Sequence, residues 1–152
     1  MNKDKFLSRL LGKLGFKGEE LDKGIENLKE WSVQVRTIES DNNPMASPST
    51  SSAKGVYQFT DASVQTGKNR MYNMGFDKNS IREIDNNPQL WSDEQADAMF
   101  FANVFAQRGS DPYIKKIAKG DIQARKDAYY KFHHTDPDEA TIKRVNKIIK
   151  EK

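Results

Sequence analysis

The chain has 152 residues, of which 36% are hydrophobic and 31% charged, with a net charge of +3 and no cysteine. That length buries one core and is too short to expect two. The lack of cysteine excludes disulfides, thiolate metal sites and a thiol nucleophile, and no apolar run approaches the ~20 residues that span a bilayer.

Phe6, Leu7, Leu10, Leu11 and Leu14 share one face of a short amphipathic helix that Gly15 ends. This N-terminal helix, within 1–15, is read as packing across the domain's own core, with docking to a partner or a membrane surface as the alternative. Leu21, Ile25, Leu28, Trp31, Val35 and Ile38 follow at steps of three and four, one face of a longer helix. Glu39 stands one residue past that stripe. Asp41-Asn42-Asn43-Pro44 comes next, and the residue before a proline disfavours the α region, so the helix stops within a few residues of Glu39.

A carboxylate at that position faces the negative end of the macrodipole. With Ile38 and Trp31 as walls it is also poorly solvated, and both effects are expected to raise its pKa. An acid that keeps its proton near neutral pH can give it to a leaving oxygen. The plain alternative is an ordinary solvated glutamate at a helix end. The segment from Asp41 to Ser52 is rich in Asn, Pro and Ser, which favour turns; a loop of this length is usually functional or disordered.

Beyond it, helix follows helix. One runs from Asp61 to Met74, before Gly75. The Ser92-Asp93-Glu94-Gln95 capping box opens another, with Ala96, Met99, Phe100 and Val104 on one face and Gly109 at its end. Asp111-Pro112 caps a helix stopped by Gly120, and Asp121 starts one through about Phe132. Asp136-Pro137-Asp138-Glu139 opens the last, whose stripe is Ile142, Val145, Ile148 and Ile149. Its basic residues Lys143, Arg144, Lys147, Lys150 and Lys152 read as a solvated face, and no nucleic-acid recognition motif accompanies them. Apart from a short ribbon near Val56 to Phe59, no strand pattern is present. The expected fold class is all-α, a single domain of six to eight helices over residues 1–152, with Glu39 at the end of a central one.

Two constellations carry candidate chemistry. His133 and His134, with Asp136 and Asp138, invite a metal reading, but neighbours on a helix point ~100° apart and the aspartates suit capping, so no metal is expected. On the preceding helix, Ile122, Arg125, Tyr129 and Phe132 share a face, with His133 beside them if the helix continues, whereas Tyr130 points away. A face mixing aromatic, guanidinium and imidazole groups suits the wall of a polar cleft.

Glu39-Ser40, a loop of about a dozen residues, then Ser52, Ala53, Gly55, Gln58, Phe59 and Thr60 in order resembles the signature of lytic transglycosylases and the related goose-type lysozymes. That family's Ala-Tyr-Asn-Ala-Gly segment is matched at Ala128-Tyr129 and departed from at Tyr130, Lys131 and Phe132. The resemblance implies a lysozyme-like helical domain. It also implies cleavage of the β-1,4 bond between N-acetylmuramic acid and N-acetylglucosamine of peptidoglycan glycan strands, without a cofactor. Glu39 would act as general acid and then base, with the substrate's own 6-hydroxyl closing an anhydro ring. Substrate contacts are expected from Ser40, Ser52, Gly55, Tyr57, Gln58, Phe59, Tyr129 and His133. In that role Gly55 would let backbone approach the ligand, Gln58 would bond acetamido and hydroxyl groups, and Tyr57 or Phe59 would present a face to a pyranose ring.

Glycosidases usually need two carboxylates, and Asp41, Asp61 and Asp85 are the candidates if the enzyme hydrolyses instead. The alternatives are a hydrolytic lysozyme and, from another class, a non-catalytic glycan-binding or virion structural protein. Residues Met1 to Lys5 lead into no signal-peptide apolar segment. Action at the cell wall or in the periplasm would then rest on delivery by a virion or secretion-apparatus partner.

Overall fold

Apolar side chains spaced for one helical face at a time produce most of this architecture. The computed structural model describes residues 2–48 and 51–151; Lys152 and positions 49–50 of the Asn/Pro/Ser-rich segment lie outside them. The fold is all-α. Among the described residues it comprises α1 (Lys3–Lys13), α2 (Gly18–Ser40), α3 (Asp61–Asn73), α4 (Lys78–Arg82), α5 (Asp93–Phe105), α6 (Asp111–Ala118), α7 (Ile122–Phe132) and α8 (Glu139–Ile148). A 3-10 turn at Pro88–Leu90 lies between α4 and α5. No element had been predicted between Gly75 and Ser92, where α4 and this turn are the two short elements.

Helix α2 is central: α1, α6 and α8 all pack on it. Leu28, Trp31, Val35 and Ile38 of its predicted stripe are buried, and Leu21 and Ile25 are partly so. A Cβ on Gly24 would stand 3.3 Å from the Ala118 Cβ and 2.9 Å from Leu11 Cδ1, so glycine here admits both α6 and α1. The N-terminal helix spends its stripe inside, with Phe6, Leu7 and Leu11 buried.

Helix α5 departs from the one-faced expectation. Every residue from Ala96 to Phe105 is buried, and the helix ends at Phe105, short of Gly109. A helix apolar on all sides belongs in the core. Here α1 and α3 pack on α5, and Trp31 and Tyr57 meet Phe100 at ring centroid distances of 5.1 and 4.5 Å.

Two helix starts differ from expectation. Asp111 lies in the first turn of α6, after Ser110. Helix α8 is capped by Asp138, whose side chain accepts the Thr141 N–H, so Pro137 precedes the cap instead of sitting in the first turn. Arg144, half-exposed, is not spent on solvent alone. Its guanidinium donates to the carbonyls of Ile38 and Thr37 and to Asp41 Oδ1 at 3.0, 2.6 and 2.7 Å. A cation at the end of α2 satisfies the Ile38 carbonyl, which the helix itself leaves unpaired, and adds a second donor to that of Thr37.

Candidate active site

Asp41 ends α2 in the left-handed conformation at φ 54°. Its N–H and that of Asn42 bond back to Thr37 and Arg36 at 3.0 and 3.2 Å, which leaves Glu39 in the last turn with its side chain on the inner face. The Ser40 hydroxyl bonds the carbonyls of Arg36 and Val56 at 3.1 and 2.8 Å, tying the helix end to the segment 53–60. In that segment Lys54 and Phe59 exchange backbone hydrogen bonds around a tight turn with Gln58 at φ 56°.

Helix α7 supplies the opposite wall. It ends at Phe132, and the N–H groups of both His133 and His134 return to the Tyr129 carbonyl at 3.1 and 2.9 Å. The chain has therefore left the helix when it reaches the histidines, the ~100° step no longer applies, and both imidazoles turn onto one carboxylate. Glu39 Oε1 accepts the Tyr129 hydroxyl at 2.5 Å, stands 3.2 Å from His134 Nδ1 and lies 3.8 Å from His133 Nε2. The Glu39 side chain is 10% exposed. It forms part of the lining of a cleft of about 640 Å³ that also includes Phe59, Gln58, Asn103, His134 and Asp138, a size ordinary for a small-molecule site.

The electrostatics reverse the expected direction at Glu39. Burial does push its pKa up. The His134 hydrogen bond, the nearby His133, the Tyr129 hydroxyl and the His134 charge together outweigh burial and hold it below the usual value. The expectation had counted desolvation and the dipole without the donors. It had also placed Trp31 in the wall, whereas Trp31 is fully buried and gives its indole N–H to the Arg125 carbonyl at 3.0 Å; Ile38 does line the cleft.

The two histidines differ. His133 is buried among the rings of Tyr57, Phe59 and Phe100, with centroids at 6.3, 5.8 and 5.3 Å. Burial lowers its pKa against the pull of Glu39, and its Nε2 is 3.0 Å from the Tyr57 carbonyl, which can only accept, so Nε2 carries the proton of a neutral ring. His134, with a side chain 34% exposed, has its pKa raised first by the Glu39 hydrogen bond, against a smaller cost of burial. Tyr129 is held far above the ordinary phenol range by burial and by the Glu39 charge, so it remains a donor.

Of the expected contact residues, Gln58, Phe59, Tyr129 and His133 share the cleft with Glu39. Ser40, Ser52, Gly55 and Tyr57 do not line it. Ser40 ties the loop; Ser52 accepts the Asp61 N–H at 3.2 Å. A Cβ on Gly55 (φ 79°) would fall 3.0 Å from the Pro88 carbonyl oxygen, so its close backbone approach is to the 3-10 turn and not to a ligand. Tyr57 is 1% exposed and donates to Asp97 Oδ1 at 2.6 Å in the core. Gln58 spends its amide N–H on the carbonyls of Gly55 and Ala46 at 2.9 and 3.3 Å.

Arg125 is not a cleft residue either; it bridges α7 to α2 through Glu30 and Gln34 at 2.7 and 2.9 Å. Asp41, Asp61 and Asp85 lie outside the cleft lining. The second carboxylate on it is Asp138, an N-cap at the rim. Among the described residues, no three His, Asp or Glu side chains gather as metal ligands, and no helix is long and apolar enough to cross a membrane.

His134, Asp138 and Asn103 are among the cleft residues that sequence reasoning missed as contributors. The signal for His134 was present in Pro137: a break counted back from it, rather than forward from Asp121, frees the histidines from the helix. Neither a protein-family model, nor a curated protein, nor a solved structure matches this chain.

Proposed function

We propose that this protein is a peptidoglycan-cleaving enzyme of the lytic transglycosylase kind, with Glu39 as its acid and base. The observation that carries the reading is the Glu39 carboxylate, nearly buried beside an open cleft and held by the Tyr129 hydroxyl at 2.5 Å. Both residues are those that the family resemblance singles out.

The chemistry runs in two steps. A sugar chain filling the cleft displaces water, which favours the uncharged carboxyl; Glu39 then protonates the glycosidic oxygen as the bond to the muramic acid C1 breaks. The carboxylate so formed takes the proton of the muramic acid 6-hydroxyl as that oxygen closes on C1, which yields the anhydro product and restores Glu39. In the free protein Tyr129 holds one carboxylate oxygen, fixing the direction in which the other faces. A nucleophile from the substrate suits a site where the other carboxylate, Asp138, is spent on capping α8.

Purified sacculi incubated with the protein, followed by mass analysis of the released muropeptides, test this. Anhydromuramic ends, one water lighter than reducing ends, are the expected product. Reducing ends would make the enzyme a hydrolytic lysozyme; binding to sacculi without release would make it a non-catalytic glycan-binding protein.

A further inference from the structure

The contacts around Glu39 Oε1 define where protons reside. Tyr129 has one hydroxyl proton, and the short 2.5 Å contact gives it to Glu39. The Tyr129 oxygen is then an acceptor, and His134 Nδ1 stands 3.0 Å from it as well as 3.2 Å from Glu39 Oε1. An Nδ1 facing two acceptors carries a proton. Oε1 thus receives two donors, and no described residue bonds Oε2.

Resting on the glycan-cleaving function proposed above, we propose that His134 is the positioning residue that stores the proton Glu39 delivers to the glycosidic oxygen. In the free protein the pair is imidazolium and carboxylate. A bound sugar covers the exposed edge of His134, and an ion pair stripped of water loses much of its advantage over the neutral pair. The Nδ1–H bond breaks, an O–H forms on Glu39, and His134 becomes neutral. A turn about the soft terminal torsion of the glutamate presents the O–H to the cleft. After the second proton transfer Glu39 is protonated again, and release of product lets the proton return to Nδ1.

The groups around His134 suit this task. Glu39 faces it from α2 and Tyr129 from α7, while Asp138 at the cap of α8 adds a favourable negative charge. His133, next in the chain, is held neutral by burial and does not compete for the proton. Arg144 from α8 acts on the Tyr129 side of the cluster. The raised pKa of His134 and the lowered one of Glu39 agree with a proton resting on the imidazole.

The test is the pH profile of sacculus cleavage for the wild type and for His134→Asn, whose amide keeps a donor near the Nδ1 position without a titrating proton. The working state holds one proton on the pair. In the wild type it is lost on the alkaline side, above the ordinary histidine value of about 6.5. In His134→Asn the last proton belongs to the carboxyl, so the alkaline limb should fall into the carboxylate range and kcat at neutral pH should drop at least ~10-fold.

An alkaline limb that stays in place while the rate drops would reduce His134 to packing and overturn the proposal. Nitrogen-15 NMR of the wild-type imidazole checks the same point without a variant. Both ring nitrogens should remain protonated above pH ~6.5, and one should have lost its proton by that pH in Glu39→Gln; a wild-type ring with a single protonated nitrogen there overturns the store. A wild type that leaves sacculi intact overturns the glycan-cleaving reading instead, whatever the imidazole does.

Discussion

The Tyr129 hydroxyl and the Glu39 carboxylate, ninety positions apart in the chain, meet in a 2.5 Å hydrogen bond across α7 and α2. Tyr130, next along α7, has its ring 5.4 Å from that of Tyr129 and forms no part of the cleft lining. Two adjacent tyrosines therefore have separate fates. Tyr129→Phe should lower turnover at least ~10-fold, about 1.4 kcal/mol of transition-state stabilisation, and Tyr130→Phe much less. Steady-state rates on sacculi compare them; a larger loss at Tyr130 would place the wrong face of α7 in the site.

Glu39→Gln keeps shape and hydrogen-bonding capacity but has no proton to give. Cleavage should fall by the ~10²- to 10⁴-fold typical of general acid–base catalysis with an unchanged helical circular dichroism spectrum. A variant retaining more than about a tenth of wild-type activity would remove Glu39 from the acid role.

The stability contributed by the Glu39–His134 contact depends on pH from both sides. The folded pKa of Glu39 is lowered, so its share is present above the reference value of 4.5 and is lost as pH falls through the folded pKa. The folded pKa of His134 is raised, so its share is full below 6.5 and disappears as pH rises through the folded value. A double-mutant cycle with Glu39→Gln and His134→Asn, measured by denaturant unfolding, should show its largest coupling between these two values and little at pH ~10. Coupling that is flat across that range would mean the two groups do not form an ion pair.

Tyr57 separates structure from catalysis. Its hydroxyl bonds the buried Asp97, a carboxylate also paired with the Lys3 ammonium and 3.5 Å from Arg36 Nη1. Tyr57→Phe should cost about 1.5 kcal/mol of unfolding free energy, as for a hydrogen bond to a charged group, and leave KM on glycan strands unchanged. Its carbonyl, which holds His133, is untouched by the substitution. A raised KM with unaltered stability would return Tyr57 to the substrate site.

Gly67 tests the packing of α3 on α5. A Cβ there would stand 2.3 Å from Met99 Sδ, so Gly67→Ala should destabilise the fold by roughly 1–3 kcal/mol, the usual cost of overpacking. Thermal unfolding measures it, and an unshifted midpoint would show that Met99 gives way freely.

The helices of this protein are largely local matters, and its sequence determined them. The α2 stripe from Leu21 to Ile38, the Ser92 capping box and the glycines at 15, 75 and 120 act over a few residues, through backbone periodicity and capping bonds. They set an all-α chain with Glu39 at a helix end. What surrounds Glu39 depends on contacts 90 to 95 residues away along the chain, and no local pattern encodes those. Only after α7 stops at Phe132 and packs across α2 do Tyr129 and His134 become donors to the carboxylate. The His134 and Tyr129 hydrogen bonds and the nearby imidazoles then outweigh a burial penalty that a local reading could see alone, so the Glu39 pKa goes down. Arg144 shows the same division: its place in a basic run is local, but its bonds to Ile38, Thr37 and Asp41 exist because α8 lies against the end of α2. Helix-forming tendencies sum along the chain, while the ionisation of a buried group is decided by whichever charges and donors tertiary packing brings within a few ångströms.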